Sequence, residues 1–200
     1  TEIGSQRINT ALRNVNALLR LSTNLINFER ADVYSSELHI SEYELNTYMN
    51  EIYNSFCSYA NIKHIDFTYK SDFNYLNVWF DKDKMDSILK NLISNAIKYT
   101  GKGEIVLSTT YKNGVFMLMV KDTGTGLDDK QQKQIFKEFA RLGNAVTQPG
   151  FGLGLSIVKN LVSLMKGKID VSSHQGLGSI FTISLPMAAA EKQNVEPIQY

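Results

Sequence analysis

Ile8, Leu12, Val15, Leu19, Ser22 and Ile26 follow one another at alternating spacings of four and three. That a/d period predicts a helix whose stripe packs in a coiled coil or four-helix bundle. Asn9, Arg13, Asn16, Arg20 and Asn24 keep the far side polar, although such a stripe could also lie on the domain's own core. Residues 1–33 are therefore expected to form part of a helical bundle. The pattern changes at Tyr34, where a second unit begins. Residues 37–40 read as a short strand, and 42–59 as an amphipathic helix with Leu45, Tyr48, Met49, Ile52, Phe56 and Tyr59 on its apolar side. Strands are expected over 65–69 and 77–80, then a helix over 82–99 with Asp81 or Asp83 as its N-cap. A hairpin of 104–110 and 114–121 turns at Lys112, Asn113 and Gly114. Helices over 129–140 and 153–165 and closing strands over 168–173 and 179–185 complete the list. Helices and antiparallel strands in blocks give an α+β fold, a two-layer α/β sandwich, because a sheet needs a helical layer over one face. This places the main domain at 34–186 and leaves 187–200 as a linker or tail.

Composition narrows the function classes. Of 200 residues, 43% are hydrophobic, enough for one globular core. Lys and Arg number 21 against 20 acids, a net charge of +1 that gives no footprint for nucleic-acid or anionic-membrane binding. Cys57 is the single cysteine, and no CxxC or HExxH spacing occurs, which argues against disulfides and zinc and for a cytoplasmic setting. The longest apolar run, 115–120, is far short of the roughly 20 residues a membrane helix needs, and the N-terminus lacks a signal peptide's apolar core.

Three polar clusters carry candidate chemistry. On the 82–99 helix, Met85, Ile88, Leu89, Leu92, Ile93 and Ala96 share one face, while Asn91, Asn95 and Lys98 fall within a wedge of roughly 60° on another. An amide oxygen is a hard ligand suited to Mg2+ held with phosphates, and a lysine can meet the remaining phosphate charge. A solvated helix face explains the same three residues. Asp122 closes an apolar strand and is followed by Gly124 and Gly126. A carboxylate there accepts from an exocyclic amine, and glycines let backbone approach a flat ring, so the pair selects adenine, a donor at N6, over guanine, an acceptor at O6. A tight turn with a solvated aspartate is the alternative. Gly150, Gly152, Leu153, Gly154 and Leu155 open a helix carrying Ile157, Val158, Leu161, Val162, Leu164 and Met165. Glycine-rich backbone at a helix start offers unpaired N–H groups to an anion such as a triphosphate. Neither the P-loop GxxxxGK[ST] nor the dinucleotide fingerprint is present. Residues 141–149 lack periodicity, as a loop closing over a ligand would.

In their order, these segments resemble the ATP-binding catalytic domain of sensor histidine kinases, within the superfamily shared with type II topoisomerase, Hsp90-like and mismatch-repair ATPases. The resemblance covers about 35–186: residues 91–100 resemble the N box, 122–127 the first glycine box, 135–141 the phenylalanine box, 150–155 the second glycine box and 176–181 a terminal glycine segment. It implies ATP and Mg2+ as ligands. Asn95 would hold the metal, with Asn91 and Lys98 near the phosphates and Tyr99 near the nucleotide. Asp122 would meet adenine N6 and Arg141 the γ-phosphate, with Phe136 and Phe139 either anchoring a lid or packing in the core. Ala140 and Phe151 depart from the usual residues. Residues 1–33 resemble the second helix of the kinases' dimerisation and phosphoacceptor bundle, ending at Leu25-Ile26-Asn27-Phe28-Glu29-Arg30. The phosphoacceptor histidine is then missing, because His39, His64 and His174 lack the expected context. The resemblance implies the cytoplasmic part of a membrane-anchored sensor, homodimeric at full length, acting on a bundle helix of the same protein and relaying phosphate to a response-regulator receiver domain. Hydrolytic relatives carry a glutamate where this chain has Asn91, which cannot take a proton at neutral pH and so favours transfer over hydrolysis. A nucleotide-binding scaffold without transfer and a hydrolytic ATPase are the competing readings.

Overall fold

The computed structural model describes residues 37–138 and 152–190. The expected bundle helix at 1–33, the loop at 141–149, and Phe139, Ala140, Arg141, Gly150 and Phe151 lie outside the described residues.

Strands β1 (Ile40–Glu44), β2 (Ile65–Ser71), β3 (Asn77–Asp81), β4 (Gly103–Lys112), β5 (Val115–Asp122), β6 (Lys168–His174) and β7 (Gly178–Pro186) alternate with helices α1 (Leu45–Ile62), α2 (Lys82–Tyr99), α3 (Asp129–Gln132) and α4 (Gly154–Leu164). Five strands form one sheet in the order β2-β4-β5-β7-β6, and β1 pairs with β3 in a second, two-stranded sheet. Period-two burial fixes which face of the larger sheet is covered. Ile105 and Leu107 on β4, Phe116, Leu118 and Val120 on β5, and Phe181, Ile183 and Leu185 on β7 all point into the core. Helices α1, α2 and α4 cover that face, giving the two-layer α+β sandwich. All neighbouring pairs are antiparallel except β2 and β4, which run parallel. The chain between them passes through β3 and α2, the crossover that a parallel pair requires.

Helix α2 holds the centre of the core. Asp81 caps it, accepting the Lys84 N–H at 3.0 Å, and Met85, Ile88, Leu89, Leu92, Ile93, Ala96 and Ile97 are buried along it. Of the first strand expected over 37–40, only Ile40 is in it. Residues 40–44 pair with 77–81 instead, so α1 starts only at Leu45, where the Glu44 carboxylate accepts the N–H groups of Asn46 and Thr47. The helix expected over 129–140 is also shorter. A capping box of Asp128 and Gln131 starts α3, but it closes at Gln132 and continues in i to i+3 turns, Gln134 N–H to Gln131 O and Lys137 N–H to Gln134 O. From Met187 to Ala190 the chain stays on the fold: Met187 is buried, and Ala188 and Ala190 hydrogen-bond Trp79 and Asn77 along the open edge of β3. Among the described residues no helix is long and apolar enough to cross a membrane.

Candidate functional site

Two amides on α2 meet the start of α4. Asn91 donates from Nδ2 to the Ser87 carbonyl at 2.8 Å, which leaves its Oδ1 facing Gly154. A Cβ built on Gly154 would stand 2.5 Å from that oxygen and 3.9 Å from Asn95 Nδ2. Glycine is therefore the residue that lets α4 begin so close to both amides. The N-cap position of α4 is Leu153, whose side chain makes no cap hydrogen bond, so it leaves the first-turn N–H groups without the acceptor an N-cap side chain would supply. Gly152 precedes it with φ +73°, a left-handed conformation that favours glycine. Lys98 turns its Nζ to Tyr99, lying 4.6 Å from the ring centroid and donating to the Tyr99 hydroxyl at 3.0 Å.

The other cluster forms at the C-terminal end of α2. Asp122 extends the buried column of Phe116, Leu118 and Val120, so β5 delivers its carboxylate to the helix-covered side of the sheet, where it is only 5% exposed. Its Oδ1 accepts the Gly124 N–H at 2.8 Å. Burial pushes the carboxyl above the ordinary aspartate range, and hydrogen bonds from the backbone of Gly124 and Ser179 oppose the shift. Gly124 lies against the Tyr99 carbonyl, which also accepts the Thr125 N–H at 3.2 Å. The turn after β5 is thus seated on the last residue of α2.

A second glycine pair locks that turn from behind. Gly126 (φ +62°) packs on the His174 carbonyl, Gly178 (φ +97°) packs on the Asp122 carbonyl, and the Gly176 N–H donates to Thr125 O at 2.8 Å. Any side chain at either position would strike backbone. The terminal glycine segment is accordingly a brace for the Asp122 turn.

Sequence reading missed three polar groups here. Ser173 and Ser179 take inward positions on β6 and β7 among apolar residues, with hydroxyls 3.0 Å apart. Hydroxyls interrupting an apolar alternation are the signal that marks them. Thr100 is buried at the end of α2 and its hydroxyl makes no hydrogen bond among the described residues. Phe136 and Ile135 are half-buried and pack against the core, in keeping with the packing reading of that box. His39, His64 and His174 are exposed.

No group of three or more His, Cys, Asp or Glu among the described residues could hold a metal. The donor set beside Gly154 suits Mg2+ only as an ion shared with a ligand's phosphates, since Mg2+ commonly takes one or two protein oxygens and completes its octahedron with phosphate and water.

The fold is that of histidine-kinase ATP-binding domains. Residues 80–189 match the family described as histidine kinase-, DNA gyrase B-, and HSP90-like ATPase, and the chain belongs to it. Histidine kinase P4 of Formosa agariphila is 33% identical over 192 residues, covering 92% of this chain. This chain spans only 14% of that relative's length. Full-length ShkA in complex with AMPPNP superposes with a TM-score of 0.78 at 27% identity, covering 90% of this chain and 38% of ShkA. ThkA, solved in complex with the response regulator protein TrrA, gives 0.67 at 26% identity, covering 86% and 48%.

Proposed function

We propose that this chain is the ATP-binding catalytic part of a sensor histidine kinase, which passes the γ-phosphoryl group of ATP to a histidine on a bundle helix of the same full-length protein. The contact of Asn91 and Asn95 with Gly154 carries this reading. It sets two neutral amides beside an uncapped helix start, an arrangement that can hold phosphate oxygens by backbone N–H groups and the helix dipole. At the far end of α2, Asp122 offers a buried acceptor to adenine N6, on a turn that Gly124 and Gly126 let pack against the Tyr99 and His174 carbonyls. Asn95 would hold Mg2+ together with phosphate oxygens, and the bound ion would neutralise charge on the transferring group. Asn91, Lys98, Tyr99, Arg141 and the backbone of Gly150, Gly152, Leu153, Gly154 and Leu155 complete the nucleotide contacts in this reading.

Asn91 decides between transfer and hydrolysis. An amide accepts no proton at neutral pH, so water at this site has no general base there. A neutral imidazole needs none, because its ring nitrogen attacks phosphorus directly as the bond to the β-phosphate oxygen breaks. The P4 relative, the ShkA complex with AMPPNP and the ThkA complex with a response regulator support a kinase that holds ATP and works with a response regulator.

Incubation with γ-labelled ATP and Mg2+, alone and with a complete bundle supplied separately, tests the reading. Acid-labile label on the supplied bundle only is expected. Label on the isolated chain would make His39, His64 or His174 an acceptor. Bound nucleotide without transfer would leave a scaffold, and steady phosphate release would identify a hydrolase.

A further inference from the structure

At the β6 edge of the sheet, a hydrogen-bond network joins α3 to the Asp122 turn. Ser173 occupies an inward position of β6 opposite Ser179, and both are buried. Its hydroxyl donates to the Gly178 carbonyl at 2.8 Å and accepts the Leu127 N–H at 2.8 Å, so one oxygen ties the end of the first glycine turn to the start of β7. The Ser179 hydroxyl, 3.0 Å away, fills the remaining lone pair. Strand β6 is an edge strand, and at Ser173 its outer backbone groups are taken by one side chain. Gln132 donates from Nε2 to Ser173 O at 2.9 Å and accepts the Ser173 N–H on Oε1 at 3.2 Å. The carboxamide thus pairs with that residue as a neighbouring strand would.

We propose that Gln132 is a positioning residue for base selection. It holds Ser173, and Ser173 sets Leu127 and Gly178, the glycine against which the Asp122 carbonyl packs. The inference rests on Asp122 being the acceptor for the adenine amine. Hydrogen bonds weaken steeply with misalignment, whereas a phosphate held by several N–H groups tolerates small shifts. Loosening this brace therefore costs recognition of the 6-amino group before it costs phosphate binding.

The test compares ADP with purine riboside diphosphate, which carries the same phosphates and sugar but no 6-amino group. Calorimetry on the 200-residue chain with Mg2+ gives the preference for ADP as an affinity ratio. Gln132→Glu keeps the shape but turns an oxygen towards the Ser173 carbonyl. Gln132→Met keeps the length and removes both hydrogen bonds. Ser173→Ala removes the hydroxyl at the centre of the network. Each substitution is expected to lower the ratio about three- to tenfold, the worth of one net hydrogen bond, with little change for the 6-deamino nucleotide. Hydrogen exchange at the Leu127 amide should quicken in all three.

A residue with a purely structural role would lower both affinities together, in step with the melting temperature, and leave the ratio unchanged. That outcome overturns the proposal, as does an unchanged ratio in variants that melt like the parent. A parent that binds both nucleotides equally shows that Asp122 does not read the amine, and the role of Gln132 falls with it. A parent that prefers ADP, with variants preferring it equally, removes Gln132 alone.

Discussion

Gly154 opens α4 directly against Asn91, with a virtual Cβ only 2.5 Å from the Asn91 amide oxygen. The pair joins two segments distant in the chain and explains why position 154 carries a residue without a side chain.

Substituting Gly154→Ala separates site from fold. Alanine is the better helix former by about 0.8 to 1.0 kcal/mol, and the atom it strikes is the mobile end of a side chain. The melting temperature should hold or rise while Asn91 is pushed aside. Nucleotide affinity with Mg2+ should fall about three- to tenfold, the worth of one hydrogen bond, as read by calorimetry. Unchanged affinity would remove Asn91 from the phosphate site.

Asp122 gives the domain a pH dependence of known sign. Burial raises its carboxyl above the ordinary 3.8, so the folded, nucleotide-free chain holds that proton more tightly than the unfolded chain does. The stability this group contributes is therefore full below 3.8 and declines as pH rises through the window up to the raised value. An adenine amine favours the ionised form, so ADP affinity should climb with pH across the same window and level off above it. Asp122→Asn should flatten the profile and weaken binding at neutral pH by about ten- to hundredfold, the range for a hydrogen bond to a charged group. Titrations from mildly acidic to neutral pH check this. An unaltered slope in the variant would assign the titration to another group.

Most strands and helices were legible in local sequence, whereas bounds and partners that depend on distant pairing were not. Helix α2 runs from Lys82 to Tyr99 as its Asp81 cap and apolar face predict, because cap and period are both local signals. Strand β1 starts three residues late and ends four late because its ladder with β3 decides it, overriding the helical period that begins at Glu42. The parallel run of β2 and β4 follows from a crossover that no short window reveals. In the candidate site, Asn91, Asp122 and Gly154 were legible as residue types in order, whereas Gln132 acts as a strand substitute at an edge known only once the sheet is assembled.

Residues 187–190 have no period to mark them, yet they belong to the fold. Met187 is 4% exposed, its N–H donates to Gly114 O at 2.9 Å, and its carbonyl accepts the Tyr111 hydroxyl at 2.8 Å. Removing 187–200 should cost about 2 to 5 kcal/mol, the range for emptying a buried methionine site. Removing 191–200 alone should leave these contacts and the melting curve in place. Equal melting of the two truncated chains would return the domain boundary to Pro186.

Asn95 offers the sharpest separation of metal chemistry from stability. It lies on α2 between the buried Ala96 and the exposed Ser94, half-buried, with Gly154 as its neighbour across the site. Asn95→Ala removes a polar group from a helix interior, where alanine is favoured by a few tenths of a kcal/mol, so the thermal melt should match or exceed the parent. Among the described residues no acidic cluster could take over the ion. ADP binding without Mg2+ should therefore persist while the gain on adding Mg2+ disappears, and transfer to a supplied bundle should be lost with it. The two measurements bear on different residue roles. A melt lowered by well over about 0.5 kcal/mol would make Asn95 a structural residue, and an intact Mg2+ gain in a well-folded variant would place the ion on other oxygens.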